Sequence, residues 1–180
     1  MGLHDSWTTD YKWSMEEIPD TKTIVWQFFF FLLMEDLFFY IGHSTLHRPQ
    51  FYWIHKKHHE YANTVSIAAE YAHPIEHVFG NSFSTFIGYK VLSHIYPVHS
   101  IAIWVFLTFR VIETCDGHSG YEWSWAQSEL LPFSAGSSYH NFHHSYNSGN
   151  YGSFFKLWDS LFGTNSEYIK YKLKNEGVSK

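Results

Sequence analysis

Cysteine, basic residues and charge in general are scarce in this chain of 180 residues. A single cysteine excludes both a disulfide framework and a zinc finger built on thiolates. Twelve Lys and Arg residues stand against 17 Asp and Glu residues, a formal net charge of -5, so the basic excess of a protein that binds phosphate backbones is missing and no nucleic-acid partner is expected. Charged residues make up 16% and aromatic residues 21%, which excludes a disordered chain.

The chain has instead three long apolar stretches, at residues 24–41, 75–92 and 98–112. The first is long enough for a helix to cross a hydrocarbon core, and Pro97 sets a turn between the other two. These two therefore predict a helical hairpin that enters the bilayer and returns. Because the length fits one domain, we predict an all-α integral membrane domain over residues 1–180 with about three apolar segments. Three buried helices of a soluble all-α domain are the alternative.

Histidine is over-represented, with 14 residues, and its spacing is not random. The composition gives about one HxxxH pair by chance but only roughly 0.08 HxxHH triplets. The chain contains two such triplets, so the triplets are the stronger signal. The four histidine boxes are His43 and His47; His55, His58 and His59; His73 and His77; and His140, His143 and His144.

The spacing of the triplets suits a metal. Residues i, i+3 and i+4 of a helix share one face, so three imidazoles can converge on an ion. Imidazole binds iron, copper, zinc and nickel, and the eight ring nitrogens of two triplets and a pair exceed what one ion takes, so two metals are predicted. Neutral imidazoles around a redox pair favour iron and dioxygen. Adjacent His143 and His144 can both reach the cluster only if the two metals lie side by side. Solvated surface histidines are the alternative.

The boxes are predicted to lie on one side of the membrane. His43 and His47 end the first apolar helix, and the hairpin returns to the same side with Glu113, Asp116 and His118. Most of the flanking Lys and Arg residues share that side, so the positive-inside rule makes it cytosolic. Taken alone, His118 is interpreted as a loop residue rather than as a ligand.

Three carboxylates near the boxes have two interpretations each. Asp36 lies on the same helical stripe as His43, so it either orients an imidazole or makes a polar contact between helices. Glu113 and Asp116 are close to His118 in the chain and could orient its ring in the same way.

The box at His73 and His77 also has two interpretations. It is either a pair of metal ligands or a pair that caps a helix and orients other ligands. Pro74 favours a helix start directly after His73, which supports the second interpretation.

Box order, box spacing and the hairpin resemble the membrane di-iron fatty acid hydroxylase/sterol desaturase superfamily. Further motifs are AEYAHP (69–74), ETCDGHSGY (113–121) and FSAGSSYHNFHH (133–144) followed by GNYGSFFKLWDSLFGTN (149–165). Within the superfamily these motifs resemble most the 4-methylsterol monooxygenases, and the resemblance covers roughly residues 11–172.

The resemblance implies an enzyme of sterol biosynthesis in the endoplasmic reticulum membrane, which oxidises the C4-methyl group of a sterol with O2. It implies two iron ions, with electrons passed from NAD(P)H through cytochrome b5 and its reductase. The sequence contains no Gly-rich dinucleotide motif, which agrees with a hydride donor bound on a partner. The implied ligands, with His73 as a further candidate, are His43, His47, His55, His58, His59, His118, His140, His143 and His144.

Two other hypotheses stay open. The chain could be another sterol desaturase or lipid hydroxylase of the superfamily, because the boxes do not determine the substrate. It could also be a non-catalytic subunit of a membrane assembly. Members usually carry a further apolar helix before the one at residues 24–41, so we expect either a shortened paralogue or a partner chain that supplies this helix.

Overall fold

A computed structural model describes residues 11–12, 15–124, 131 and 133–176, and its regular structure is almost entirely helical. The prediction of an all-α domain is confirmed, apart from two strands of two residues each. In chain order the elements are β1 (Tyr11–Lys12), a 3-10 turn (Met15–Glu17), α1 (Thr21–Leu46), α2 (Tyr52–His55), 3-10 turns (His58–Glu60 and Ser66–Glu70), α3 (Pro74–Glu76), a π-helical stretch (His77–Ser82), α4 (Phe83–Leu92), β2 (Val98–His99), α5 (Ser100–Gly117), α6 (Ser137–Tyr146), α7 (Leu157–Phe162) and α8 (Ser166–Glu176).

Helix α1 is, among the described residues, the one helix long and apolar enough to cross a membrane. It begins at a capping aspartate, since the Asp20 carboxylate accepts a hydrogen bond from the backbone N–H of Thr23 (3.0 Å). Only 33% of its most apolar window is buried, and its exposed apolar side chains include Val25, Trp26, Phe29 and Leu33. An outward apolar surface of this extent is what a lipid-facing helix presents.

The predicted hairpin is present as helices. Its first arm runs through α3, the π-helical stretch and α4, and its second arm is α5. Neither arm matches α1 in length and apolar character, and α5 carries the charged residues Arg110, Glu113 and Asp116. The membrane crossing of these two arms therefore stays a prediction.

The core forms where both arms pack on α1. Its buried apolar side chains include Phe31 and Leu32 of α1 and Phe106 of α5. Gly88 of α4 lets the first arm come close, because a Cβ atom there would lie 3.0 Å from the Cα atom of Phe31. A larger residue at this position would push α4 away from α1.

The turn of the hairpin lies beside the beginning of α1. The buried Gln27 side chain donates a hydrogen bond from Nε2 to the Pro97 carbonyl oxygen (3.0 Å). Strand β1 pairs in parallel with β2 at the same place, a contact that the sequence did not predict. From Gln27 to His43 the axis of α1 advances about 24 Å, so the histidines lie at the opposite end from this turn.

Candidate metal centre

Nine histidines converge at the end of α1 in two adjoining groups. Within each group, all the potential ligand nitrogens lie within 4.8 Å of one another. Group one consists of His43, His47, His55, His59 and His143. Group two consists of His58, His118, His140 and His144. The structure thus brings together the nine histidines that the family resemblance implied as ligands.

The first triplet is divided between the groups, which corrects the expectation that its three rings converge on one ion. His55 and His59 lie in group one, but His58 lies in group two. The reason is local: α2 ends at His55, and His58 and His59 lie in a 3-10 turn, so these three rings do not share one helical face. The second triplet lies on α6 and is divided as well, with His143 in group one, because adjacent residues point about 100° apart. This division agrees with the expectation of two metals side by side.

Six of the nine rings are fixed through Nδ1. Five donate to backbone carbonyl oxygens and the sixth contacts a carboxylate. Because a carbonyl oxygen only accepts, the ring proton sits on Nδ1, and Nε2 is left with a lone pair. The pairs are His43 with Tyr151 O, His143 with Gly149 O, His144 with Tyr61 O, His58 with Tyr71 O, His118 with Thr114 O, and His55 with the Glu76 carboxylate.

The Nε2 atoms face each other inside each group at hydrogen-bond distance. The Nε2 atoms of His43 and His55 are 3.1 Å apart in group one, and those of His58 and His118 are 3.3 Å apart in group two. All four of these rings have Nδ1 committed elsewhere, so two lone pairs point at each other in each case. Such an arrangement is repulsive unless a cation lies between the nitrogens. The donor sets therefore fit one metal ion in each group.

Protonated histidines cannot supply the positive charge that the facing nitrogens require. Burial lowers the pKa of His55 to about 3 and that of His118 to about 3, and it lowers the pKa of His58 to about 4. These rings are consequently neutral at pH 7, as ligands of a metal must be.

Glu76 is a functional residue that sequence reasoning missed. Its Oε1 atom lies 2.7 Å from His55 Nδ1, and its side chain is buried. A carboxylate on the second nitrogen of a ligand histidine fixes the ring and makes the ligand more basic. The available signal was its place in the box between His73 and His77, where it is the one carboxylate.

The loop after α6 supplies two of the carbonyl oxygens, those of Gly149 and Tyr151. Asp159 of α7, fully buried, holds this loop by accepting hydrogen bonds from the backbone N–H groups of Tyr151 (2.8 Å) and Gly152 (2.7 Å). Gly149 has a φ of +66°, and a Cβ atom there would lie 2.2 Å from the Thr164 carbonyl oxygen. The loop thus carries orienting groups for His43 and His143 although it contributes no side-chain ligand.

Asp36 holds the far end of the same loop rather than a histidine. Its Oδ1 atom accepts hydrogen bonds from the backbone N–H groups of Phe154 (2.7 Å) and Phe155 (3.1 Å). Of the two interpretations of Asp36, these contacts favour the polar contact, because α1 turns this carboxylate toward the loop. Asp36 acts as a polar contact between segments.

The other expected residues lie outside both groups of histidines. His73 caps α3, since its Nδ1 accepts from the Ile75 N–H (3.2 Å), which is the capping role that Pro74 favoured. The His77 ring contacts the Glu70 carbonyl oxygen (3.1 Å). Glu113 is buried and forms an ion pair with Arg110, and Asp116 is half-buried near the end of α5.

A cavity of about 170 Å³ lies against both groups. Its wall includes His43 and His55 of group one and His58, His118 and His140 of group two. The remaining wall is apolar in part, from Phe39, Leu107 and Val111, and charged in part, from Glu35 and Arg110. A small apolar group could therefore reach the ring nitrogens from this cavity.

The chain matches one protein family over most of its length. The family model described as "Fatty acid hydroxylase" matches residues 28–164, which include every histidine of both groups. The chain belongs to this family. No solved structure matches the chain.

Similar curated proteins include methylsterol monooxygenases and a very-long-chain aldehyde decarbonylase. The chain is 40% identical over 168 residues to "Methylsterol monooxygenase 1" of Gallus gallus, covering 92% of this chain and 54% of the relative. It is 38% identical over 168 residues to "Methylsterol monooxygenase 2-2" of Arabidopsis thaliana, covering 91% and 61%. It is 39% identical over 163 residues to "Very-long-chain aldehyde decarbonylase GL1-8" of Oryza sativa subsp. indica, covering 88% and 59%. The chain spans little more than half the length of these relatives.

Proposed function

We propose that this chain carries the catalytic centre of a non-haem di-iron monooxygenase that oxidises the C4-methyl group of a sterol with O2. The observation that carries the proposal is the pair of adjoining histidine groups, with lone pairs facing each other, on the wall of one partly apolar cavity. The resemblance to two methylsterol monooxygenases supports a sterol as substrate.

The nine histidines are the proposed ligands, five for one iron and four for the other. Imidazole nitrogen without thiolate or a coordinating carboxylate favours iron over calcium and magnesium, and two ions are needed to use nine nitrogens. When bound, the iron pair supplies the activation of O2 and the attack on an unactivated C–H bond, which no side chain can perform.

The chain's own residues orient the ligand rings and exclude water from the centre. Glu76 and the carbonyl oxygens of Gly149 and Tyr151 keep three ligand rings in place. Phe39 and Leu107 line the cavity with apolar surface, which suits a methyl group and keeps bulk water from the centre. Electrons are proposed to come from NAD(P)H through cytochrome b5 and its reductase.

For the membrane arrangement we propose three crossings, with the histidines on the cytosolic face of the endoplasmic reticulum. The hairpin turn lies at one end of α1 and the histidines lie at the other end, and this separation supports the three crossings. Arg110 does not count among the flanking charges, since it is buried in ion pairs with Glu35 and Glu113. The cytosolic side then rests on Arg48, Lys56, Lys57, Lys156 and the lysines near the C-terminus.

Three crossings make a prediction about the two ends of this chain. In sealed microsomes, we expect an epitope tag placed after Lys180 to be removed by added protease and a tag placed before Met1 to be protected. Detergent should then expose both tags equally. Removal of both tags without detergent would contradict the crossing of α1, and it would favour a helix that lies on the membrane surface.

The catalytic proposal predicts turnover by the reconstituted protein. Iron-loaded chain, supplied with O2, cytochrome b5 and its reductase, is expected to convert a 4,4-dimethylsterol to the 4-hydroxymethyl product and its further oxidised forms, detected by mass spectrometry. A long-chain aldehyde is the matched comparison, because the rice relatives are named decarbonylases. Conversion of the aldehyde without conversion of the sterol would contradict a sterol substrate and favour a long-chain aldehyde in its place. Two bound irons with no turnover of either lipid would favour the non-catalytic subunit.

A further inference from the structure

A buried ion-pair network joins α1, α5 and the loop after α6 next to the cavity. The Arg110 guanidinium donates to Glu35 Oε1 (2.9 Å) and to Ser153 Oγ (2.9 Å), and it also pairs with Glu113. The Glu35 side chain is 1% exposed and that of Arg110 is 11% exposed. Ionisable residues inside a proposed membrane segment are costly, and they usually mark a path or a binding site for substrate.

One acceptor of this network has no donor. Among the described residues, Glu35 Oε2 is buried and has no hydrogen-bond partner, although Oε1 of the same carboxylate is paired with Arg110. Glu35 and Arg110 both line the cavity that holds His58 and His118 of group two. Leaving a buried carboxylate oxygen without a donor is unfavourable, so a bound molecule with a donor would gain from occupying this position.

The charges of the network determine which kind of group fits. Two carboxylates surround a single guanidinium, so the network disfavours an anion. Among the described residues it leaves one acceptor, Glu35 Oε2, and one donor, Arg110 Nε, without a partner, so it favours a neutral group that both donates and accepts. A neutral hydroxyl meets this requirement, and it is also the one polar group of a simple sterol.

We propose that Glu35 Oε2 accepts a hydrogen bond from the hydroxyl of a lipid alcohol in this cavity and thereby positions the substrate below the histidine groups. The inference rests on the proposed function. In a 4-methylsterol the 3-hydroxyl is on the carbon next to C4, so holding the hydroxyl also fixes the C4-methyl group. Arg110 positions Glu35 by holding Oε1, which leaves Oε2 for the substrate.

The donor could come from two sources, the sterol or an ordered water, and the ligand series separates them. Iron-loaded full chain in lipid nanodiscs is titrated with three radiolabelled 4,4-dimethylsterols: the 3β-alcohol, the 3-deoxy compound and the 3-O-methyl ether, which accepts but cannot donate. Equilibrium binding is measured, so turnover is not required. We expect the alcohol to bind about 10- to 100-fold more tightly than the other two, the range for a hydrogen bond to a charged group.

The substitution Glu35→Gln should reduce the preference for the alcohol over the ether to within about threefold, because Arg110 holds the amide oxygen and the amide NH2 group that replaces Oε2 donates but does not accept. Gln27→Leu is the matched control: Gln27 is equally buried on α1, its Oε1 is also unpartnered among the described residues, and it does not line the cavity. The control is expected to keep the preference of the wild-type chain.

Equal binding of the alcohol and the deoxy sterol by the wild-type chain would assign the donor to water and overturn the inference. A preference for the alcohol over the ether that survives Glu35→Gln would overturn it as well, because the hydroxyl would then donate to another group. If this variant does not fold, the wild-type series alone decides. Binding of none of the three sterols would contradict the proposed function itself, which distinguishes the two failures.

Discussion

Replacement of His144 by alanine is expected to lower the iron content from about two ions to about one per chain and to abolish sterol oxidation. Group two has four histidines, so this change leaves three, and it also removes a ring whose Nδ1 is fixed by the Tyr61 carbonyl oxygen (3.0 Å). His144 lies on α6, outside the apolar helices, so membrane insertion should be unchanged. Iron is measured by mass spectrometry on protein prepared without oxygen, and activity by the sterol assay.

The adjacent residue provides the sharpest comparison. His143→Ala removes a ligand from group one, so the iron that remains should be the one that His144→Ala loses, with a different Mössbauer spectrum. His94 is the control, because it is exposed near the hairpin turn, where its Nδ1 contacts the Lys90 carbonyl oxygen. His94→Ala should keep both irons and the activity. One zinc and no iron in the wild-type chain would contradict the di-iron centre.

The histidine spacing was informative because composition could be discounted. Two HxxHH triplets are rare by chance, and both contribute all three rings to the groups. His118 was different: by spacing alone it was a loop residue, and only the family resemblance implied it as a ligand. The structure places it at the end of α5, where its ring contacts His58 and His140 across the fold.

The division of the first triplet between two groups could not be predicted from periodicity. It depends on the end of α2 at His55 and on the 3-10 turn that follows, and short turns of this kind have no clear apolar pattern. The carbonyl oxygens of Gly149 and Tyr151 are backbone atoms, so no residue type identifies them in a sequence. For Asp36 the sequence leaves two roles open, because a helical stripe gives the face of a residue but not its partner.

Replacement of Glu76 is expected to change the iron affinity strongly. Glu76→Ala is expected to weaken iron binding at group one about 10- to 100-fold, the range found when a partner of a ligand histidine is removed. The reason is that His55 Nδ1 loses its acceptor, so the ring can rotate or change tautomer. Group two should keep its iron, since its histidines have other partners. Competition with an iron(II) chelator, without oxygen, measures both affinities.

Two variants test whether Glu76 orients the ring or only fills space. Glu76→Gln keeps an oxygen that accepts from Nδ1–H, so it should recover much of the affinity that Glu76→Ala loses. Glu70→Gln is the matched control, because Glu70 lines the same cavity but is exposed and lies outside both groups. Unchanged affinity in all three variants would show that packing alone holds His55. Equal losses in Glu76→Ala and Glu76→Gln would instead assign the effect to the negative charge, because the amide supplies the same hydrogen bond without it.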